Sequence, residues 1–475
     1  MNNLKILKYK IRGEFVEFKK KNFLEKTNIL SFACLCLFLL DCCFMGGGRY
    51  LSIGVLSLRM LLGVGCIFFS VPSLIKKWSE HIKDPINILF GLFIICLIVC
   101  TVRGWVNGNN RVVLMSDLKG FMYLFLVPLA VNCITSKKRI NVVMNVVLVG
   151  AFIQSLMVFV INMLCSIDIS FLHAMYYPVF EMGLGTLSVV SNSIFRIFMN
   201  SAPYIIVACV IIVFRQFKQN TKGFFYPLLT AFYLNAILLT YTRSLYGSAG
   251  IVAVVSLIVA LIIYPKRLKK FLKYICVTVL CTFMLIAVEE FVFEASYLNF
   301  AISRTFNTEI KISYASTLRS KIRGDKGSVN DVQQELVEVE SQEAYLGRTE
   351  ESDSFRTITQ NELMALVKKS PVFGNGLGAC STTRNGPDEY FYLDVLARMG
   401  VIGLVLYLLP CAYIVSKMKK NSMIAIILCT MLPFWIATAF NPWMNASIGI
   451  VWYAVVVADT RSLCLLKNGE LEQGD

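Results

Sequence analysis

Charge is scarce in this chain. Only 16% of its 475 residues are Asp, Glu, Lys or Arg, against about 25% in soluble globular proteins. With 56% hydrophobic residues, a soluble fold is excluded. Histidine is rarer still, with only His81 and His173 present, neither with the set of carboxylates or cysteines that a metal or triad site needs. A histidine-centred metal site or catalytic triad therefore has nothing to build on, and both read as surface residues. Paired CxxC motifs are absent, so a zinc site is not expected. The 16 cysteines resemble a disulfide scaffold only by number. Cys34, Cys36, Cys96, Cys100, Cys209, Cys276, Cys281 and Cys429 lie inside apolar runs, where cysteine is a small apolar residue. A cleavable leader is not expected, because the basic and polar residues 1–27 are too long and too mixed a stretch for the charged start of one. No internal repeat is visible, and paired broken helices of the secondary-transporter kind cannot be superimposed on the two halves.

What the chain does have is long apolar runs. At roughly 20 residues per crossing, they mark about twelve spans, at 28–46, 51–75, 86–101, 119–134, 140–163, 197–215, 223–241, 245–264, 271–291, 391–415, 421–439 and 445–464. The expected fold class is an all-α polytopic membrane protein with one large, partly helical extracytoplasmic loop. The expected organisation is a cytoplasmic segment at 1–27, nine spans within 28–291, a large outer loop at 292–390, three spans within 391–464 and a cytoplasmic tail at 465–475.

The formal net charge of +16 invites a nucleic-acid reading. Its distribution argues against one. Lys76-Lys77, Lys137-Lys138-Arg139, Arg215 to Lys222, Lys266 to Lys270 and Lys417 to Lys420 follow every second span. Cytoplasmic loops are enriched in Lys and Arg, so all five clusters fall on the inside with both termini cytoplasmic.

Three longer pieces then lie outside: Val102–Leu118, about Cys165 to Arg196 with its Gly183-Leu184-Gly185 turn, and about Val292 to Tyr390. Within the last, Asp331–Leu346 has a weak helical period. Ser354–Lys369 reads as a helix because Leu363, Met364, Leu366 and Val367 recur at helical spacing.

Arginines on the outer side run against the charge bias and call for a reason. Arg243 stands in the turn Tyr241–Gly247, Arg196 just before the sixth span, Arg356 at the start of the 354–369 helix and Arg384 in the turn before an acidic pair. Each can serve as a snorkelling anchor, a helix cap or a solvated charge. Each can also bind phosphate, which guanidinium grips bidentately. Asp388 and Glu389 can cap the tenth span, or one of them can act as a general base beside an arginine cluster. Gly374, Gly376 and Gly378 do not follow a strand and are no dinucleotide fingerprint. They read as a tight turn bringing backbone amides towards a ligand.

The turn Tyr241-Thr242-Arg243-Ser244-Leu245-Tyr246-Gly247, the run from Ser354-Phe355-Arg356 to Gly378, and Tyr392–Gly403 together resemble the O-antigen ligase/polymerase family of bacterial inner-membrane glycosyltransferases. Arg196 with Asn200 and Pro203 is similar to an earlier arginine of that family. The resemblance implies a GT-C-like fold in the bacterial cytoplasmic membrane. It implies transfer of glycan from a polyprenyl-diphosphate carrier such as undecaprenyl diphosphate onto another carrier-linked repeat unit. No metal ion, nucleotide sugar or other cofactor is implied. The expected partners are the lipid-linked oligosaccharide, membrane lipid, a chain-length regulator and a flippase, with no nucleic acid. By the same resemblance, Arg243, Arg356, Arg196 and Arg384 bind the donor diphosphate, and Glu389, Asp388 and Arg243 are the catalytic group. Glu389 stands where ligase-type members tend to carry a histidine–asparagine-like pair. That favours a repeat-unit polymerase for O-antigen, capsule or a related glycan over a ligase. A transporter or flippase, the rival from another class, would place charges along several spans and need no structured outer loop.

Overall fold

The computed structural model describes residues 2–46, 52–53, 56–168, 170–191, 194–219, 224–293, 297–306, 354–382, 389–417 and 422–467. The chain is an all-α polytopic membrane protein. Its helices are α1 (Asn2–Met45), α2 (Leu58–Lys76), α3 (Trp78–Lys83), α4 (Pro85–Val106), α5 (Arg111–Met122), α6 (Leu126–Cys133), α7 (Lys137–Ile167), α8 (Ser170–Tyr176), α9 (Pro203–Gln219), α10 (Phe225–Leu238), α11 (Arg243–Ile263), α12 (Leu268–Phe293) and α13 (Tyr297–Phe306). They continue with α14 (354–369), α15 (Phe391–Lys417), α16 (Ser422–Ala437) and α17 (Ser447–Lys467). Two short antiparallel hairpins interrupt them, β1–β2 (Ser52–Ile53 and Leu56–Ser57) and β3–β4 (Gly185–Ser191 and Ile194–Met199).

Among the described residues, nine helical segments are long and apolar enough to cross a membrane. The sixth, seventh and eleventh expected spans fall on α9, α10 and α16, which are shorter, at 17, 14 and 16 residues. The third and fourth spans are longer than their apolar runs suggest. Asp84 caps α4 by accepting from the Ile86 amide at 3.0 Å, with Pro85 in the first helical position. Asn110 caps α5 by accepting from the Val112 amide at 2.9 Å. These caps extend both helices into what reads as a 102–118 loop, leaving only a tight turn between Val106 and Arg111.

The start of the sixth span also differs. Ile194–Met199 is strand, and the helix begins only at Pro203. Its apolar and polar residues alternate in burial, as a half-covered strand requires. It pairs with Gly185–Ser191, with Ser188 opposite Arg196. The helix expected at Ser354–Lys369 is present over those residues, with Leu363 fully buried. The one expected at Asp331–Leu346 lies outside the described residues.

α17 sits at the centre. Of its most apolar stretch 83% is buried, against 17% for the peripheral α2. Its run Ile448–Ala458 is apolar on nearly every side, which suits a helix enclosed by others. The spans are less uniformly apolar than expected. Asp41 of α1 accepts from Arg59 Nε of α2 at 2.7 Å, and Arg59 Nη1 donates to Ser447 of α17 at 2.9 Å. Asn235 donates to the buried Glu289 at 2.6 Å. Asp459 is fully buried in α17. Ionisable groups at membrane depth sit inside the bundle and pair with one another where they can. In the Asp41–Arg59–Ser447 set the pairing joins three helices.

Candidate active site

Of the six candidate site residues, Arg196, Arg243, Arg356 and Glu389 are described, and the fold gathers them on one end of the bundle. Arg196 lies on β4, a strand held across the end of α10 by a hydrogen bond from the Ile197 amide to the Leu239 carbonyl at 3.1 Å. Arg196 Nε reaches on to the Thr240 carbonyl at 3.3 Å, in the turn that ends at Arg243. Its guanidinium also lies over the Phe198 ring at 5.7 Å. Arg243 is the first residue of α11, and Tyr246 stands on the same face one turn later. Arg356 is in the first turn of α14. Its Nε donates to Glu389 Oε2 at 2.8 Å, just ahead of α15. Asp388 and Arg384 lie outside the described residues.

Electrostatics relate two of these groups. Burial, and after it the charge of Arg356, pushes the Arg196 guanidinium below its ordinary range, while Tyr246 opposes the shift. Two guanidinium groups from elements far apart in sequence are therefore close enough to repel. Like charges are not gathered without cost, and an anion between them would relieve it. The Arg356–Glu389 pair is open to solvent, with 45% of the arginine side chain and 21% of the glutamate exposed. A pair that exposed contributes about 0–1 kcal/mol. It holds the two groups only loosely and leaves both accessible to a substrate.

The turn that presents Arg243 is strained. Tyr241 has φ +45°, a left-handed conformation that a bulky side chain adopts rarely. Conformations of this kind cost on the order of 1–3 kcal/mol and gather at functional sites. Tyr241 is fully buried, and its ring meets Phe300 edge-on at 4.8 Å. Asn441 donates to Ser244 at 3.0 Å, and Trp443 Nε1 to the Asn200 carbonyl at 2.9 Å, so the α16–α17 turn braces both the strand and the start of α11. Nothing in the residue type of Tyr241 announced this role.

The glycine turn is not a ligand cradle. The Asn375 and Gly376 amides donate to the Ala397 and Arg398 carbonyls of α15, each at 2.9 Å. The Leu377 amide donates to Cys100 of α4 at 3.0 Å, and the Gly378 amide to Asp117 at 2.9 Å. α15 in turn breaks at Gly400, with φ +67°. Beyond the break the Val401 amide is satisfied by the Pro371 carbonyl at 2.9 Å. The turn is thus stitched into a helix kink. The glycines are required because backbone passes against backbone. A Cβ on Gly376 would come within 2.3 Å of the Gly104 nitrogen, and one on Gly400 within 2.2 Å of the Val372 oxygen.

Beneath the turn lies a set of charges that the sequence reading missed. Arg398 forms ion pairs with Asp117 of α5 at 2.5 Å and with Asp394 of its own helix at 2.8 Å, and its Nε donates to the Ala379 carbonyl at 2.9 Å. All three charged side chains are at most 2% exposed. The Asp394–Arg398 half was legible as opposite charges four residues apart in an apolar helix. Asp117 stands 281 positions away and offered no such signal. The set locks the glycine turn to α5 and α15, and α15 carries Glu389 at its entrance.

A family model described as O-antigen ligase matches residues 228–408, from α10 into α15. The matched stretch contains Arg243, Arg356 and Glu389, and Arg196 lies before it. No curated protein and no solved structure matches the chain.

Proposed function

Over residues 228–408 the chain belongs with the O-antigen ligase/polymerase family, and from that premise we propose that it is a polysaccharide polymerase. It moves a glycan chain from a polyprenyl-diphosphate carrier onto a carrier-linked repeat unit, on the outer face of the bacterial cytoplasmic membrane. The observation that carries this reading is the exposed Arg356–Glu389 pair beside Arg196. Cations for a leaving diphosphate and a carboxylate for an incoming hydroxyl stand within one site.

In the reaction the acceptor hydroxyl oxygen bonds to the anomeric carbon of the donor glycan. The bond from that carbon to the diphosphate oxygen breaks, and its electron pair leaves with the diphosphate. Glu389 takes the hydroxyl proton, with Asp388 as the neighbouring candidate. Arg356, Arg196 and Arg243, with Arg384, hold the charge that develops on the leaving group, where fixed donors are most effective. A diphosphate arriving at Arg356 competes for the guanidinium that Glu389 now occupies. Donor binding thereby frees the carboxylate for the acceptor.

The description of the matched family model favours a second reading, a ligase that moves finished polymer to a lipid or protein acceptor. Gene deletion in a producing cell separates the two. Loss of a polymerase leaves single repeat units attached to the final acceptor. Loss of a ligase leaves polymer on the carrier. We expect the first pattern, and the second would overturn the polymerase assignment.

Arg243→Ala tests the diphosphate role. A lost charge-assisted bond is worth about 1.5–3 kcal/mol, so long-chain product should fall by roughly 10- to 100-fold with the protein still in the membrane. Normal chain length at normal protein level would remove Arg243 from the site.

A further inference from the structure

A polar cleft of about 510 Å³ opens beside the glycine turn. Volumes of roughly 300–1,000 Å³ are typical of small-molecule sites. Arg103 at the end of α4, Lys369 at the end of α14, Ser370 and the turn residues Asn107, Asn109 and Asn110 line it. Among the described residues the lining holds two cations and no carboxylate. Arg103 Nη2 donates to Ser370 Oγ at 3.1 Å, and its remaining N–H groups make no bond to described protein groups. Asn107 and Asn109 direct their amide nitrogens to the backbone of the glycine turn, at 2.9 Å and 3.0–3.3 Å. Their amide oxygens are left as acceptors, suited to hydroxyl groups.

The helix ends that flank these asparagines are apolar. On either side of the asparagine turn stand Trp105, Val106, Val112 and Met115, which are 60%, 76%, 79% and 60% exposed. These side chains belong to membrane-spanning helices, so the cleft opens beside lipid, where a ligand with an anionic sugar-bearing head can keep a hydrocarbon tail in the bilayer. Its place relative to the active site is equally specific. Arg356 and Lys369 occupy opposite ends of one helix, 13 residues apart, or roughly 20 Å at 1.5 Å per residue.

We propose that this cleft seats the phosphate-bearing head of the acceptor, a second prenyl-diphosphate-linked glycan. The inference rests on the transferase reading above. Arg103 and Lys369 hold the acceptor's diphosphate, and the asparagine oxygens receive its first sugar hydroxyls. The repeat unit then runs along α14, and its far end reaches Glu389. The helix sets the distance between the two diphosphates, so it acts as a gauge for the length of unit the enzyme extends.

Titration of the purified full chain in nanodiscs with undecaprenyl diphosphate tests this. The wild type should bind one molecule at the arginine site and a second at the cleft. Arg103→Gln with Lys369→Gln should lose only the second, and Lys369→Gln alone should weaken it about tenfold. Lys369 is exposed, so that single change leaves packing intact even if Arg103→Gln loosens the turn. An unaltered titration of the double variant would overturn the proposal. Arg196→Gln with Arg356→Gln should lose only the first molecule. If that variant instead binds as the wild type does, the donor site is misassigned while the cleft stands. Inorganic diphosphate is the control for a bare anion. Equal affinity for it at the cleft would overturn the lipid-linked assignment.

Discussion

Replacing Arg398 by alanine is expected to destabilise the protein by about 3–5 kcal/mol, the usual effect of breaking a buried ion pair from one side. Asp117 and Asp394 would remain in a site where both are at most 2% exposed. Asp117 would keep the Gly378 amide as a donor. The Ala379 carbonyl would lose its guanidinium partner. The midpoint of thermal unfolding in detergent and the yield of folded protein would both fall. Polymer formation would fall with them, because the glycine turn and the start of α15 share this anchor. A matched neutral replacement isolates the cause. Asp117→Asn and Asp394→Asn combined with Arg398→Met remove the charges together, and exchanging a whole buried ionic set for neutral groups is often close to neutral in stability. The triple variant should regain most of what Arg398→Ala loses. If Arg398→Ala unfolds at the wild-type midpoint, the set is not what holds the turn.

This anchor also shows where the sequence stopped being informative. The helix over 354–369 was legible because its apolar residues repeat at a period that only one local structure satisfies. The β3–β4 hairpin was not, since Ile194-Phe195-Arg196-Ile197-Phe198-Met199 is as apolar as the start of a span. Only its pairing with Gly185–Ser191 makes it a strand. The spacing of Gly374, Gly376 and Gly378 correctly signalled close backbone approach. What approached was another stretch of the same chain: Gly104 of α4 meets Gly376, and Val372 meets the kink at Gly400. The arginines were found because charge bias made them anomalous one by one. That Arg196 and Arg356 share a site, and that Arg356 pairs with Glu389, depends on contacts between elements far apart in sequence. The strain at Tyr241 leaves no mark on residue type at all.

Glu389→Gln is expected to have the largest effect on activity. Removing a general base lowers turnover by about 10²–10⁴-fold. The glutamine amide keeps the size of the side chain and can still meet Arg356 through its oxygen, so affinity for the prenyl diphosphate should change little. The combination to measure is the loss of long-chain product against retained binding of undecaprenyl diphosphate. Arg356→Gln should give the opposite split, with weakened diphosphate binding and Glu389 left in place. The adjacent carboxylate supplies the control. If Asp388→Asn abolishes polymer while Glu389→Gln makes it normally, the base is Asp388 and Glu389 serves only to hold Arg356. If both variants make normal polymer, proton removal by this pair is wrong, and the arginines alone must account for the chemistry. The pairing of Glu389 with Arg356 is the reason to expect the loss in Glu389→Gln. Glu389 is held to a cation that the donor diphosphate would claim, so the carboxylate becomes available as the donor arrives. A base released in that order would act on the acceptor hydroxyl only when there is a glycan to transfer.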